Sequence, residues 1–250
     1  MKKILIYIVL ILLSSNWLLA KTINVNYKAS FGILGTIATI DNKIIIKKDT
    51  YEIDTRLKFK GFAKLLLGTQ QEHYVSKGFI KNGFFVSYYY YAMSQKDNRN
   101  KLNEYFIDHK TKSITKRRRK WKKGKLYYDK KKDLNFYAKD DLLTLYFNMD
   151  KHIKAHKNQK NFILNVAGLE KQKGKVKITV ATAKDKQKYK NDLGSSASWY
   201  AKALIVQKNF KHKKGDILLS VSKDGYIKKA VIKDLVMYGD AVLKRVESRR

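Results

Sequence analysis

The sequence predicts a mainly β fold of the α+β kind, a long antiparallel sheet accompanied by one or two helices. Three observations predict it. Segment after segment from Thr22 onward alternates apolar with polar residues, the period of a half-buried strand. Short clusters of Gly, Asn, Asp and Lys separate these segments at hairpin spacing, Asn82-Gly83 being the clearest turn signal. Only Asp141 to Ile153 repeats its apolar residues at helical spacing over several turns.

The elements follow in order. Ile23, Val25, Tyr27 and Ala29 alternate with polar neighbours, Phe31 to Gly35 makes a glycine-punctuated turn, and Thr36 to Ile46 returns. After Lys47 to Thr50, the residues Tyr51, Ile53, Thr55, Leu57 and Phe59 carry the face of a third strand. Gly61 to Gly68 breaks the rhythm: Phe62, Leu65 and Leu66 share a helical face between glycines, so a short helix over the sheet is expected. Strands resume at His73 to Ile80 and Phe84 to Met93, then at Asn103 to Asp108 and Ile114 to Lys123. In the helix, Leu142, Tyr146, Met149 and Ile153 fall at i, i+4, i+7 and i+11, with Asp140 and Asp141 placed to cap it. Strand character returns at Phe162 to Ala167, Lys175 to Ala181, Trp199 to Gln207, Ile217 to Val221, Tyr226 to Val236 and Ala241 to Val246. Gly194 to Ser198 reads as a loop, and residues 21–250 read as one continuous domain.

Residues 1–20 carry the address. Lys2 and Lys3 form a positive start, Ile4 to Leu13 is an unbroken apolar run, and Leu18-Leu19-Ala20 ends in a small residue, the pattern of a cleaved signal peptide. The alternative is an uncleaved anchor that tethers the rest to the inner membrane, but the apolar run is shorter than the ~20 residues of a membrane span, and Ser14, Ser15 and Asn16 follow it directly. Export to the periplasm is therefore expected, and with it the absence of nucleic acid as a partner. The chain holds no cysteine, so no disulfide and no lipid-bearing Cys is available, and its 44% hydrophobic content must supply a core. Lys and Arg number 55 against 21 Asp and Glu, a net charge of +34 of which Lys2 and Lys3 contribute two. The absence of proline and the preference for Lys, Ile, Asn and Tyr fit an AT-rich genome. That bias would also enrich Asp and Glu, so it accounts for only part of the charge. Such a field attracts anionic surfaces and is screened by salt.

No pattern calls for a cofactor or a metal. His152 and His156 have i, i+4 spacing, but Ile153-Lys154-Ala155 lacks the glutamate of a zinc protease. Gly194 to Ser198 lacks the glycine that closes a nucleophile elbow, and Gly168 to Lys175 lacks the Ser or Thr of a phosphate loop. The sharpest local signal is Lys116 to Lys123. A strand there puts Lys116, Arg118, Lys120 and Lys122 on one face and Arg117, Arg119 and Trp121 on the other. It reads either as a solvated edge strand or as a phosphate-binding surface. The aromatic run Phe84 to Tyr91 puts Phe84, Val86, Tyr88 and Tyr90 on one face and Phe85, Ser87, Tyr89 and Tyr91 on the other, one for the core and one for a second packed layer or a cavity.

Three stretches resemble an exported bacterial domain-of-unknown-function family whose β-rich fold is similar to the LolA/LolB lipoprotein carriers. They are Tyr27 to Ile40 with its Phe31-Gly32-x-x-Gly35 turn, Asp141 to Phe147, and Trp199-Tyr200 through Asp224-Gly225-Tyr226-Ile227 to Tyr238-Gly239-Asp240-Ala241. Lys228-Lys229-Ala230 departs from the family, where a proline is usual. The resemblance implies a strongly curved antiparallel sheet or open barrel with helices over its concave side. It implies no catalytic residue.

On these grounds the sequence suggests a non-enzymatic periplasmic binding protein for an apolar or amphipathic anionic envelope ligand, a lipid or a lipoprotein acyl chain. Phe62, Leu65 and Leu66, with Tyr89, Tyr91, Leu142 and Tyr146, are the candidate pocket residues. Arg117, Arg118 and Arg119 are the candidate headgroup residues, suited to an anionic lipid, an envelope glycolipid or a membrane surface. The alternative is a structural envelope protein that docks through its basic surface onto anionic envelope polymers or a protein partner.

Overall fold

A computed structural model describes residues 20–61, 64, 71–157, 159–205, 215–235 and 239–246. The candidate signal peptide, except Ala20, and Phe62, Leu65 and Leu66 of the expected short helix lie outside the described residues. The first eight strands form a plain meander: β1 (Lys21–Phe31), β2 (Gly35–Lys47), β3 (Thr50–Phe59), β4 (Gln71–Lys81), β5 (Phe84–Lys96), β6 (Arg99–Asp108), β7 (Ser113–Lys122) and β8 (Lys125–Asp133). Then come β9 (Asp140–Asp141), the helices α1 (Leu142–Phe147) and α2 (Met149–Ala155), β10 (Asn161–Ala167), β11 (Lys175–Val180) and α3 (Lys186–Leu193). The chain returns through β12 (Trp199–Ile205), β13 (Gly215–Val221), β14 (Ile227–Leu235) and β15 (Gly239–Val246). Among the described residues these strands form one sheet in the order β8-β7-β6-β5-β4-β3-β2-β1-β15-β14-β13-β12-β11-β10-β9. Only the β9–β10 pair is parallel. The sheet is curved and does not close into a barrel.

A curved sheet with an apolar inner face must be filled, and the chain fills it with itself. After β8 it doubles back, Leu134 N–H donating to Ile114 O at 2.9 Å and Ser87 N–H to Lys139 O at 3.3 Å. Residues 134–138 thereby lie against Tyr90, Tyr105, Ile107 and Ile114. The helices α1 and α2 follow inside the same concavity. Leu143 and Phe147 pack with Val25, Ile44 and Ile53 of the early strands. Leu145, Met149 and Ile153 pack with Val166, Ile178 and Val221 of the late ones. Leu142 and Tyr146 lie against both sets, so α1 joins two halves of one core.

Sequence and structure differ at four places. The single helix expected over Asp141 to Ile153 breaks at Asn148, whose side chain is taken up by the sheet: Phe85 N–H donates to its Oδ1 at 3.0 Å, and its Nδ2 donates to Phe85 O at 2.8 Å. The strand β8 carries no apolar face to announce it, because it is an edge strand with both faces in solvent. The helix α3 is too polar for periodicity to show. It buries only Leu193 and lies on the outer face, near Tyr200 and Val231. In β5 a bulge opposite Lys77/Gly78 switches faces, so that Phe85, Ser87 and Tyr90 all point inward.

The bulge depends on Gly78. A Cβ there would meet Val86 O at 2.0 Å and the Tyr51 ring at 2.7 Å. At the Asn82-Gly83 hairpin both residues have positive φ, 50° and 77°, as the tightest hairpins require, but the space around Gly83 is open. Gly78→Ala should therefore cost more stability than Gly83→Ala, about 3 kcal/mol against about 1. Urea denaturation of the two variants checks the ranking, and the reverse order would remove the close approach as the reason for Gly78.

Asp141 caps α1 in a reciprocal box with Thr144: its Oδ1 accepts from Leu143 N–H at 2.7 Å and Thr144 N–H at 2.9 Å, and its own N–H donates to Thr144 Oγ1 at 2.7 Å. Ser76 Oγ donates to Asp141 Oδ2 at 2.5 Å, which leaves the Tyr51 hydroxyl to donate to Ser76 at 3.0 Å. Complete burial pushes the Asp141 carboxyl up to about 6 despite these donors. The folded state thus holds this proton more tightly than the unfolded chain does. Its contribution to stability is full below about pH 4 and is lost as pH rises through about 6, a fall of about 3 kcal/mol. Asp141→Asn keeps a good cap without the charge. Denaturation midpoints between pH 4 and 7 should fall less steeply in this variant than in the parent, and equal slopes would refute the assignment.

Candidate functional site

The two halves of the sheet leave a cleft at one end, where the β4–β5 turn, the β6–β7 turn, α2 and β10 come together. Its volume is about 1050 Å³. Phe79, Phe84, Val86, Ile163 and Leu164 give it apolar walls, and Ile163 is 61% exposed, unusual for its type. Lys81, Lys112, Lys139 and three histidines stand around it, with Asp49 and Asp140 as the carboxylates. A smaller hollow of about 520 Å³ adjoins it and shares Phe79 and His109. Tyr88 and Phe106 continue the apolar surface there.

His109, Asp140 and His156 of the cleft are held from behind. His109 Nε2 donates to Ser87 O at 2.8 Å, and its Nδ1 lies 2.6 Å from the Tyr137 hydroxyl. Asp140 Oδ1 accepts from Asn148 Nδ2 at 3.0 Å, and its Oδ2 lies 3.2 Å from His152 Nε2. His156 donates from Nδ1 to His152 O at 2.8 Å and stacks on Phe162 at 4.2 Å between centroids. The two helical histidines therefore face different partners. Among the described residues no group of three or more His, Cys, Asp or Glu is arranged to hold a metal.

Among the described residues, the four expected to line the pocket do not come together, and Phe62, Leu65 and Leu66 lie outside the described residues. Tyr89 and Tyr91 lie on the outer face, sent there by the bulge in β5. Tyr89 donates to Glu104 Oε1 at 3.0 Å, and Tyr91 is bonded to His73. Leu142 and Tyr146 lie inside, Tyr146 packed edge-on against Tyr27 and Phe147. The sheet separates the two pairs, and Leu142 and Tyr146 pack against both clusters of the core.

The arginines part company as well. Arg117 grips Asp129 with two bonds, Nε to Oδ1 at 2.8 Å and Nη2 to Oδ2 at 2.5 Å, and holds that carboxyl below its usual range. Arg119 Nη2 donates to Glu104 Oε2 at 2.8 Å. Both are on the outer face. Arg118 points to the inner one and donates to Asn103 Oδ1 at 3.1 Å. The three do not form one headgroup site, because strand alternation divides them and carboxylates occupy two.

Sequence reasoning missed His109, Phe79 and Ile163. His109 sits in a polar turn and gains its place through Ser87 and Tyr137, both distant in the chain. Ile163 and Phe79 left a usable signal: each is a large apolar residue on the solvent side of its strand.

No family model matches the chain, and no curated protein matches it. Among solved structures it is similar to a beta-barrel-like protein of domain of unknown function DUF1849 from Brucella abortus. The identity is 12%, the match covers 92% of this chain and 97% of that one, and the TM-score is 0.49.

Proposed function

We propose that this protein is an exported, non-enzymatic binding protein of the bacterial envelope whose ligand is an amphipathic anion, such as a lipid or a lipoprotein acyl chain. One observation carries the reading: an open cleft of about 1050 Å³ with apolar walls and a rim of lysines and histidines. That volume is at the upper end of what small-molecule sites enclose. The signal-peptide pattern of residues 1–20 and the resemblance of three stretches to LolA/LolB-like exported proteins support the same reading.

Magnitudes assign the roles. Each buried methylene of an acyl chain contributes about 0.8 kcal/mol, and each cation beside an anionic group about 1 kcal/mol at modest salt. An acyl chain of a dozen methylenes therefore outweighs three rim lysines. The apolar wall sets retention, and Lys81, Lys112 and Lys139 set orientation and capture.

The test is a titration with a fluorescent long-chain fatty acid. Ile163→Asp should weaken binding about tenfold or more, since it puts a like charge on an apolar wall. Lys112→Ala with Lys139→Ala should weaken it less and flatten its salt dependence. Affinity unchanged in both variants would dismiss the cleft as the ligand site.

A further inference from the structure

Residues 113–133, the hairpin of β7 and β8, carry eleven Lys and Arg against two Asp. Strand alternation sorts these charges. On the outer face Arg117 has Asp129, Arg119 has Glu104, and Asp133 accepts from Thr115. On the inner face Lys116 has Glu170 at 2.6 Å, reaching across from the turn after β10. Arg118, Lys120, Lys130 and Lys132, with Lys101 of β6, have no carboxylate partner among the described residues. They also face one another in register: Lys101 opposite Lys120, Arg118 opposite Lys130, Lys116 opposite Lys132. Like charges directly opposite destabilise a sheet. The Lys101 ammonium is pushed below its usual range by burial and then by Arg118, Lys116 and Lys120. Protection of a sheet edge accounts for lysines on β8. It does not account for Lys101, Lys116 and Arg118, which belong to strands with a neighbour on both sides.

The tip of the hairpin adds a second, independent feature. Beyond Trp121 the chain turns at Lys123-Gly124, both with positive φ, and returns through Leu126 and Tyr127, 51% and 60% exposed. Lys122, Lys123 and Lys125 belong to the same tip, Lys122 opposite Lys125 in register. An aromatic and an aliphatic group presented among lysines suit the boundary between lipid headgroups and acyl chains. A soluble polyanion would make no use of Leu126 and Tyr127.

We propose that the β7–β8 hairpin is a docking element for an anionic phospholipid surface, its tip entering the headgroup layer and its inner-face cations engaging lipid phosphates. The reading is independent of the cleft, which takes one ligand molecule and lies elsewhere.

Co-sedimentation of the protein with phosphatidylcholine vesicles, with and without phosphatidylglycerol, tests it. Binding should require phosphatidylglycerol and weaken with added salt. The triple variant Arg118→Ser, Lys120→Ser, Lys130→Ser should weaken binding about tenfold or more, whereas Lys184→Ser, Lys186→Ser, Lys188→Ser, the same charge removed around α3, should change it little. Leu126→Asp with Tyr127→Asp should reduce the binding that survives high salt. Equal effects of the two triple variants would show only general attraction of a basic protein and overturn the proposal. So would tripolyphosphate binding without vesicle binding.

Discussion

The interior of this protein hangs on a buried line of polar contacts. It runs from the Tyr51 hydroxyl through Ser76 to the Asp141 carboxylate, and beside it from Asp140 through Asn148 to the backbone of Phe85. An open sheet has nothing to oppose its own inner face, so it needs a plug. A purely apolar plug could slide or rotate along an apolar wall. Here α1 is pinned at its first residue by a carboxylate bonded to β4, and α2 is pinned at its start by an amide bonded to β5. Asn148 does for Phe85 what a neighbouring strand would do, since it offers both a donor and an acceptor to one residue's backbone. The backbone at Asn148 keeps helical angles, with its N–H on Thr144 O and its C=O accepting from His152 N–H, so α1 and α2 follow one another almost without interruption.

The cleft is a consequence of the same arrangement. The helices α1 and α2 are only six and seven residues long, and the cleft opens past the end of α2, lined both by the solvent-side residues Phe79, Val86 and Ile163 and by the inner residues Ile80 and Phe85. Where α2 ends at Ala155, the hairpin turns of the early strands stand opposite β10 of the late ones. The group that anchors the plug, Asp140, is also the carboxylate nearest His152 at the cleft. A change at Asn148 would therefore disturb both the packing of α2 and the polar floor of the cleft.

Much of the sheet was legible because most of its strands have one wet face and one dry face, and alternation is then imposed by burial. The Asn82-Gly83 turn and the Asp141 cap were legible because each needs particular side chains at particular backbone angles. What escaped was whatever depends on pairing. The bulge at Gly78 leaves the local alternation of Phe84 to Tyr91 intact in sequence yet exchanges its faces halfway along, so Tyr89 and Tyr91 were expected on the wrong side of the sheet. The strand β8 has no dry face, and α3 scarcely has one. The cleft escaped for a related reason. His109, Phe84, His152 and Ile163 come from four elements, and only the doubling back of residues 134–139 gathers them.

The charge of the chain divides along the same line between composition and register. A preference for lysine in the genome can set how many cations the chain carries, but it cannot choose which of them meet a carboxylate. In the hairpin that choice is made by position. Asp129 and Asp133 occupy alternate positions of β8, both on its outer face, and Glu104 joins them from β6. A shift of one residue in the pairing of β7 with β8 would bring Asp129 and Asp133 to the inner face, opposite Lys120 and Lys116. The hairpin registers instead so that on the inner face only Lys116 meets a carboxylate, Glu170 from the turn after β10, and the facing pair Arg118 and Lys130 has none. The net charge of +34 is thus informative only once it is divided by face. Within β6, β7 and β8 the outer face sets Arg117, Arg119 and Lys131 against Glu104, Asp129 and Asp133, whereas the inner face gathers cations beside an apolar tip.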